Sequence, residues 1–430
     1  MARINGVHAP HYKNTAASVP EAMPIPAQVK LPMSMHSGAP AKPIVKAGDK
    51  VKVGQLIGEV SGKVSSPVHA SVSGEVKAVE EYDSLTGEKT ASIIIASDGE
   101  QAPYDGMEPL KVTSVAEFLA AVENSGVVGL GGAGYPTSPK LTLKEGTNLD
   151  YILINGAECE PYITSDTRTM VDDTENMWDG ALMLKEYLKP KEMVIGIENN
   201  KPEAISKLEK LCAGVAGMRV QSLPALYPQG ERKVMVYNVT GRIVPEGGRL
   251  TDVGCIVINC TTIAVIANYI KTGMPLVSRC VTVDGTAVKT PKNVVAPIGS
   301  PIGELFNFAG GLKDDVKKII MGGPMMGAAV PNLEMPVVKI TNAILAFSDK
   351  DARPPVVSAC IKCGRCISQC PMNLMPSYIE NAFELKRTDW LNKYKVNMCA
   401  ECGCCAYLCP SKRPLAQVMV LSKKMLWEVR

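Results

Sequence analysis

The chain has no strong charge of either sign: 46 Lys and Arg stand against 43 Asp and Glu, a formal net charge of +3 over 430 residues. No run of Lys and Arg stands out, so a nucleic-acid partner is not implied. An apolar leader is lacking too, because MARINGVHAPHYKN at the N-terminus has no h-region and no secretory signal is expected. Nor is there the run of about 20 apolar residues that spanning a bilayer requires. The most apolar stretch, Cys255 to Ile270, is interrupted by Asn259, Thr261, Thr262 and Asn268. These absences point to a chain that is soluble, or peripheral on a membrane through partners. Histidine is scarce. Only His8, His11, His36 and His69 occur, all ahead of the central α/β region, which therefore lacks the commonest general acid and base. Hydride transfer from a nicotinamide to a flavin needs none, because the cofactor carries the reaction. Disulfide-like spacing is missing as well. Cys159, Cys212, Cys255, Cys260, Cys280 and Cys404 are scattered among apolar neighbours, which favours a reducing cytosol.

Eight further cysteines form two copies of one pattern near the C-terminus. They are Cys360, Cys363, Cys366 and Cys370, followed by Pro371, and Cys399, Cys402, Cys405 and Cys409, followed by Pro410. Three thiolates at this spacing bind three corners of a cubane cluster from one loop, and the fourth reaches across to the other cluster. Two 4Fe-4S centres are expected. One uses Cys360, Cys363, Cys366 and Cys409; the other uses Cys399, Cys402, Cys405 and Cys370. Zinc is the competing reading, since paired C-x-x-C motifs also hold tetrahedral zinc. Four cysteines per motif, the doubled copy and the trailing prolines weigh against it. Cys404 breaks the repeat spacing and is left out of the ligand set.

Length and 46% hydrophobic content suit roughly two to four cores. Residues 1–35, rich in Pro, Met and Ala, read as an extended N-terminal arm that buries little alone. Short alternating strands broken by Gly over 36–105 predict a small all-β unit. It resembles a barrel-sandwich hybrid of the lipoyl and biotinyl type, with Ser65-Ser66-Pro67-Val68-His69-Ala70 where a modified lysine would sit, so no swinging arm is expected. Over 106–272 a helix opened by Ser114 and Glu117 leads into apolar strands alternating with helices, the pattern of a parallel sheet covered on both faces. Residues 273–347 read as a small α+β unit, with Asp284-Gly285 suited to a tight hairpin. Residues 350–430 form the cluster region. Helical composition between its motifs predicts an α-helical ferredoxin, and the last twenty residues a single amphipathic helix packed on it.

A second redox group has a place in the α/β region. Gly129-Leu130-Gly131-Gly132-Ala133-Gly134 satisfies G-x-G-x-x-G, but a Rossmann fingerprint needs a strand before it, and only Val127 and Val128 precede it after a helix ending at Gly126. The loop can still cradle a phosphate or admit a flat ring, because Gly has no Cβ to block approach. Asn155-Gly156-Ala157-Glu158-Cys159-Glu160 follows the strand YILIN, and Asn259, Thr261 and Thr262 follow CIVIN. Ligands of α/β sheets bind at such C-terminal strand ends. The three pieces are expected to share one edge and line a pocket.

GLGGAGYPTSPK, NGAECEP, YPQGE and NCTTIA resemble, in that order, the flavin- and NADH-binding segments of the 51-kilodalton type subunit of respiratory complex I. With the N-terminal module, a β-grasp-like SLBB unit and the cysteine repeats, nearly the whole chain is similar to the RnfC family of the Rnf electron-transport complex. The resemblance implies a multidomain α/β chain with a Rossmann-like FMN domain. It implies an NADH-oxidising subunit on the cytoplasmic face of the bacterial membrane, passing electrons to an iron-sulfur subunit and, indirectly, to ferredoxin, while membrane subunits pump Na+ or H+. By motif position, Gly131, Gly132, Gly134 and Lys140 would approach FMN and its phosphate. Asn155, Glu158, Gly230, Asn259 and Thr262 would line the flavin, with Glu231 in the same set. Tyr135 and Glu160 would face the nicotinamide nucleotide, and Glu158 and Glu160 are the expected catalytic carboxylates. Three positions depart from the complex I pattern: Ala157 for an acid, Arg232 for a second Glu, Leu143 for an aromatic. Two other readings are a cobalamin reductase, whose Gly-rich loop lies closer to the N-terminus, and a non-catalytic electron-transfer scaffold.

Overall fold

The computed structural model describes residues 5–85 and 87–428. The N-terminal module pairs an antiparallel sheet, in the order Gln28–Pro32, Lys89–Ser97, Gly74–Asp83, Lys50–Val51, with a small sheet of Lys42–Pro43, Leu56–Glu59 and Val68–His69. Alternation aims Val29, Leu31, Ile93 and Ile95 into a shared core, all fully buried. The arm expected over 1–35 is therefore extended but only partly free. Gln28–Pro32 is a strand of the module, and Glu21–Ala22 pairs in parallel with Lys292–Pro297 of the third unit. Strands of five and two residues are too short to show a period in the sequence.

The α/β unit holds a four-stranded parallel sheet in the order Met218–Leu223, Glu192–Glu198, Tyr151–Gly156, Cys255–Asn259. Its strands read as continuous apolar runs because both faces are covered. Ile152, Ile154, Ile195 and Ile258 face one core with the helices Thr174–Leu188 and Cys260–Thr272; Leu153, Val194 and Val257 face another with the helix Arg232–Thr240.

In the third unit, Ser278–Asp284 and Lys292–Pro297 are antiparallel but joined by residues 285–291. The tight turn expected at Asp284-Gly285 is absent. Gly285, at φ +116°, instead lets the neighbouring strand Ala343–Ser348 come close: an added Cβ would lie 2.2 Å from the Ala346 carbonyl oxygen. The C-terminal unit packs the helices Pro376–Glu384, Thr388–Lys393 and Leu415–Glu428 around Ile379, Leu391, Met419 and Leu426. Among the described residues no helix is long and apolar enough to cross a membrane.

The helix that begins at the Asn259 strand end is held by Gly180, whose added Cβ would sit 2.2 Å from the Ile263 carbonyl oxygen. Gly180→Ala, worth about 1 kcal/mol of stabilisation in an open helix, should here destabilise by about 1–3 kcal/mol through overpacking, read as a lowered denaturant midpoint.

Candidate functional site

Asn155 and Asn259 are register partners at the ends of adjacent parallel strands. Asn259 caps the next helix, its Oδ1 accepting from the Thr262 amide at 3.1 Å, while its Nδ2 donates to Asp166 at 2.7 Å. The Thr262 hydroxyl accepts from the Leu130 amide and donates to the Val128 carbonyl, fixing the glycine loop to the strand end. The loop turns back on itself, with the Gly134 amide donating to the Gly129 carbonyl at 3.0 Å. Gly131 lies against Asn259, 3.1 Å from its Nδ2 to an added Cβ, whereas Gly132, at φ +104°, faces open space. On the other side Asn155 Nδ2 donates to the Gly230 carbonyl at 2.9 Å. Glu231 caps the helix Arg232–Thr240, accepting from the Lys233 and Val234 amides. Thus the three polar segments meet at one edge, with half-exposed Tyr135 at the rim.

The edge carries two unneutralised cations. Half-buried Lys140 and exposed Arg232 make no ion pair with an acid among the described residues. Burial, and then the Arg232 charge, lower the Lys140 pKa to about 8. Two cations beside a cradle without Cβ atoms fit the phosphate of FMN. Of the other departures, Ala157 is fully buried and Leu143 packs against the main core.

The two carboxylates are placed differently. Glu158, at φ 50°, turns its side chain to the start of the helix Ser165–Asp172, accepting from the Asp166 amide at 2.7 Å and the Thr167 amide at 3.3 Å. Burial raises its pKa. Glu160 lies beneath the Gly322–Gly327 loop of the third unit: Oε2 accepts from the Met325 amide at 3.0 Å, and Oε1 is buried without a partner. At Gly323 a Cβ would come within 2.3 Å of Oε2. Burial pushes Glu160 up to about 7.

The chain between the carboxylates is held from below by two lysines that sequence reading did not single out. Lys13, in the arm, donates to the carbonyls of Glu158, Glu160 and Ile163 at 2.6–2.9 Å. Lys201 donates to the Ala157 carbonyl at 2.6 Å and pairs with buried Glu198. Asp166, anchoring Asn259 and Thr261, was also missed. All three act across long sequence separations, so no local pattern betrays them.

The second cysteine loop packs directly on this edge. Tyr227 Oη donates to the Cys402 carbonyl at 2.7 Å, and Tyr227, Cys402, Cys404, Cys159 and Met325 share one small core. Cys370, Cys399, Cys402 and Cys405 line one shallow recess with Pro371 and Met419. These four thiols, drawn from both motifs, are the ones expected for one crossed ligand set. The first set is more open: Cys360 and Cys363 are exposed, Cys366 and Cys409 half-buried. Hydrogen bonds from the Ser358 amide to the Ser411 carbonyl and from the Ser411 hydroxyl to the Ala359 carbonyl bring the Cys409 segment beside Cys360. Among the described residues no three His, Cys, Asp or Glu side chains close on a point suited to one ion; the fit to a cubane is carried by the all-thiol donor set and the recess. Burial raises the Cys370 thiol and pushes Cys399 up to about 12, whereas the hydrogen bond with Cys404 lowers Cys402.

Comparison with known proteins agrees with this assembly. Family models match in chain order: an RnfC barrel sandwich hybrid domain at residues 2–100, a Nuo51 FMN-binding domain at 122–268, an SLBB domain at 280–329 and a 4Fe-4S dicluster domain at 359–412. Fold and matched domains define a redox chain built for flavin and paired iron-sulfur clusters. The C subunit of a proton-translocating ferredoxin:NAD(+) oxidoreductase complex from Clostridium ljungdahlii is 39% identical over 378 residues, 87% of this chain and 82% of the relative. Its counterpart in a Na(+)-translocating ferredoxin:NAD(+) oxidoreductase complex from Acetobacterium woodii is 39% identical over 378 residues, 86% and 85% of the two chains. The chain belongs to this RnfC family. The fold is also similar to chains of an NAD+-reducing [NiFe]-hydrogenase in its air-oxidized state, at TM-score 0.50 and 18% identity over 64% of this chain and 53% of that one, and in its H2-reduced state, at 0.50 and 16% over 73% and 61%.

Because the folded pKa of Glu160 lies above its ordinary value of 4.5, the folded chain holds more protons than the unfolded one between those values. Stability contributed there is fully present below about 4.5 and declines as pH rises to about 7. Glu160→Gln should remove this decline, leaving the cofactor-free variant about 1–3 kcal/mol more stable than wild type above pH 7, measured by denaturation across pH 4–8.

Proposed function

We propose that the chain is the NADH-oxidising subunit of an Rnf-type complex, peripheral on the cytoplasmic face of the cell membrane. When bound, FMN would accept hydride from NADH and the two 4Fe-4S clusters would carry single electrons onward. Gly131, Gly132 and Gly134 leave the backbone open to the flavin, Lys140 and Arg232 supply charge for its phosphate, and Asn155 and Asn259 hold the loops that frame it. Tyr135 and Glu160 are assigned to the nicotinamide side. The observation that carries the reading is the packing of the Cys399–Cys405 loop on the Tyr227 segment of the flavin edge. This makes that ligand set, completed by Cys370, the inner one, and the exposed Cys360 set the outer. Equal identity to relatives named for protons and for Na+ fits an ion choice made in other subunits.

Anaerobically purified chain should contain about eight iron atoms and one FMN, and NADH should bleach both flavin and iron-sulfur absorbance. Iron-sulfur absorbance without flavin would favour the scaffold reading instead.

A further inference from the structure

The two cysteine loops share one backbone and differ in what they display. Lys362 and Glu401 occupy equivalent positions with φ 55° and 56°, and Gly364 and Gly403 follow at φ 73° and 77°. Around the inner set the repeat positions hold Glu401, paired with Lys423, buried Cys404, and Asn373. Their counterparts around the outer set are Lys362, Arg365 and Lys412, all exposed and none paired with an acid among the described residues. Residues 352–379 contain no Asp or Glu at all. Within this cationic rim the approach to Cys360 is apolar and open, with Val356 90%, Val357 52% and Ile361 66% exposed. The inner loop, by contrast, is closed over by Met325 and Tyr227. Two copies of one motif have thus diverged at matching positions, one toward burial and one toward a positively charged, apolar-centred surface.

We propose that the outer loop is the docking surface for an acidic iron-sulfur protein, with Val356, Val357 and Ile361 at the centre of the contact and Lys362, Arg365 and Lys412 steering its approach. This rests on the assignment of the Cys360 set to a cluster. The sign of the rim selects an acidic partner, and opposite charge raises the rate of encounter without demanding a large interface. Small contacts with fast exchange are the usual form of electron-transfer encounters. Exposed Cys360 and Cys363 put the cluster edge at that contact.

The test uses the full, cofactor-loaded chain and, as probe, a small acidic ferredoxin with two 4Fe-4S clusters. Binding is measured at low and high salt. Wild-type affinity should fall at least tenfold between about 20 and 300 mM NaCl as exposed charges are screened. Lys362→Glu, Arg365→Glu and Lys412→Glu combined should weaken low-salt binding at least tenfold, while NADH-driven ferricyanide reduction stays within twofold of wild type. Val356→Ser with Val357→Ser should weaken binding severalfold without changing its salt dependence. Salt-independent wild-type binding, or a triple variant that binds like wild type, would overturn the proposal. If the triple variant loses iron, the salt dependence of the wild-type chain decides alone. A chain that binds the probe yet is not reduced by NADH would instead contradict the proposed function and leave the docking surface standing.

Discussion

The structure depends on the contact that joins the flavin edge to the inner cysteine loop. The Tyr227 hydroxyl binds the Cys402 carbonyl, its backbone pairs with Val7 in both directions, and Met325 fills the space against Gly403, where an added Cβ would lie 2.8 Å from the Met325 carbonyl oxygen. Three units of the chain meet there. Loops of the α/β unit supply Tyr227 and Cys159, the SLBB unit supplies the Gly322–Gly327 loop, and the ferredoxin unit supplies Cys402. Electron transfer over protein distances needs donor and acceptor held at fixed separation, and this packing would fix it for a flavin at the sheet edge and a cluster on the inner loop.

Buried lysines serve the same end. Lys13 and Lys201 gather four carbonyls of the Ala157–Ile163 segment, so the chain carrying Glu158 and Glu160 is held from beneath. Lys339, almost fully buried, donates to the Ser66 hydroxyl and to the Pro67 and Gly126 carbonyls, tying the SLBB unit to the β-module and the first helix of the α/β unit. An ammonium group satisfies several carbonyls at once, which an apolar contact cannot do, and an unmet carbonyl in such a place is costly.

The 4Fe-4S dicluster unit was legible because its cysteine spacing is local: three thiols must come from one short loop, and the sequence writes that loop out. The parallel sheet was legible from YILIN, MVIGI and CIVIN, whose unbroken apolar runs require cover on both faces. Gly285 misled because Asp-Gly commonly marks a turn, whereas here its missing Cβ makes room for a neighbouring strand. The arm looked featureless because its strands are two and five residues long and their partners lie far along the chain. For the same reason Lys13, Asp166 and Gly323 carried no signal. Glu158 was recognisable as a polar strand-end residue, but its commitment to a helix start follows from a positive φ that no local pattern predicts.

The order of the two ligand sets can be tested most directly by replacing the crossing ligand of the inner set, Cys370→Ala. Iron should fall from about eight to about four atoms per chain, the outer cluster should persist, and NADH should no longer reduce it at more than about one hundredth of the wild-type rate, a barrier increase of about 3 kcal/mol. Reduction of that remaining cluster at the wild-type rate, or loss of the Cys360 cluster in place of the Cys399 one, would contradict the arrangement.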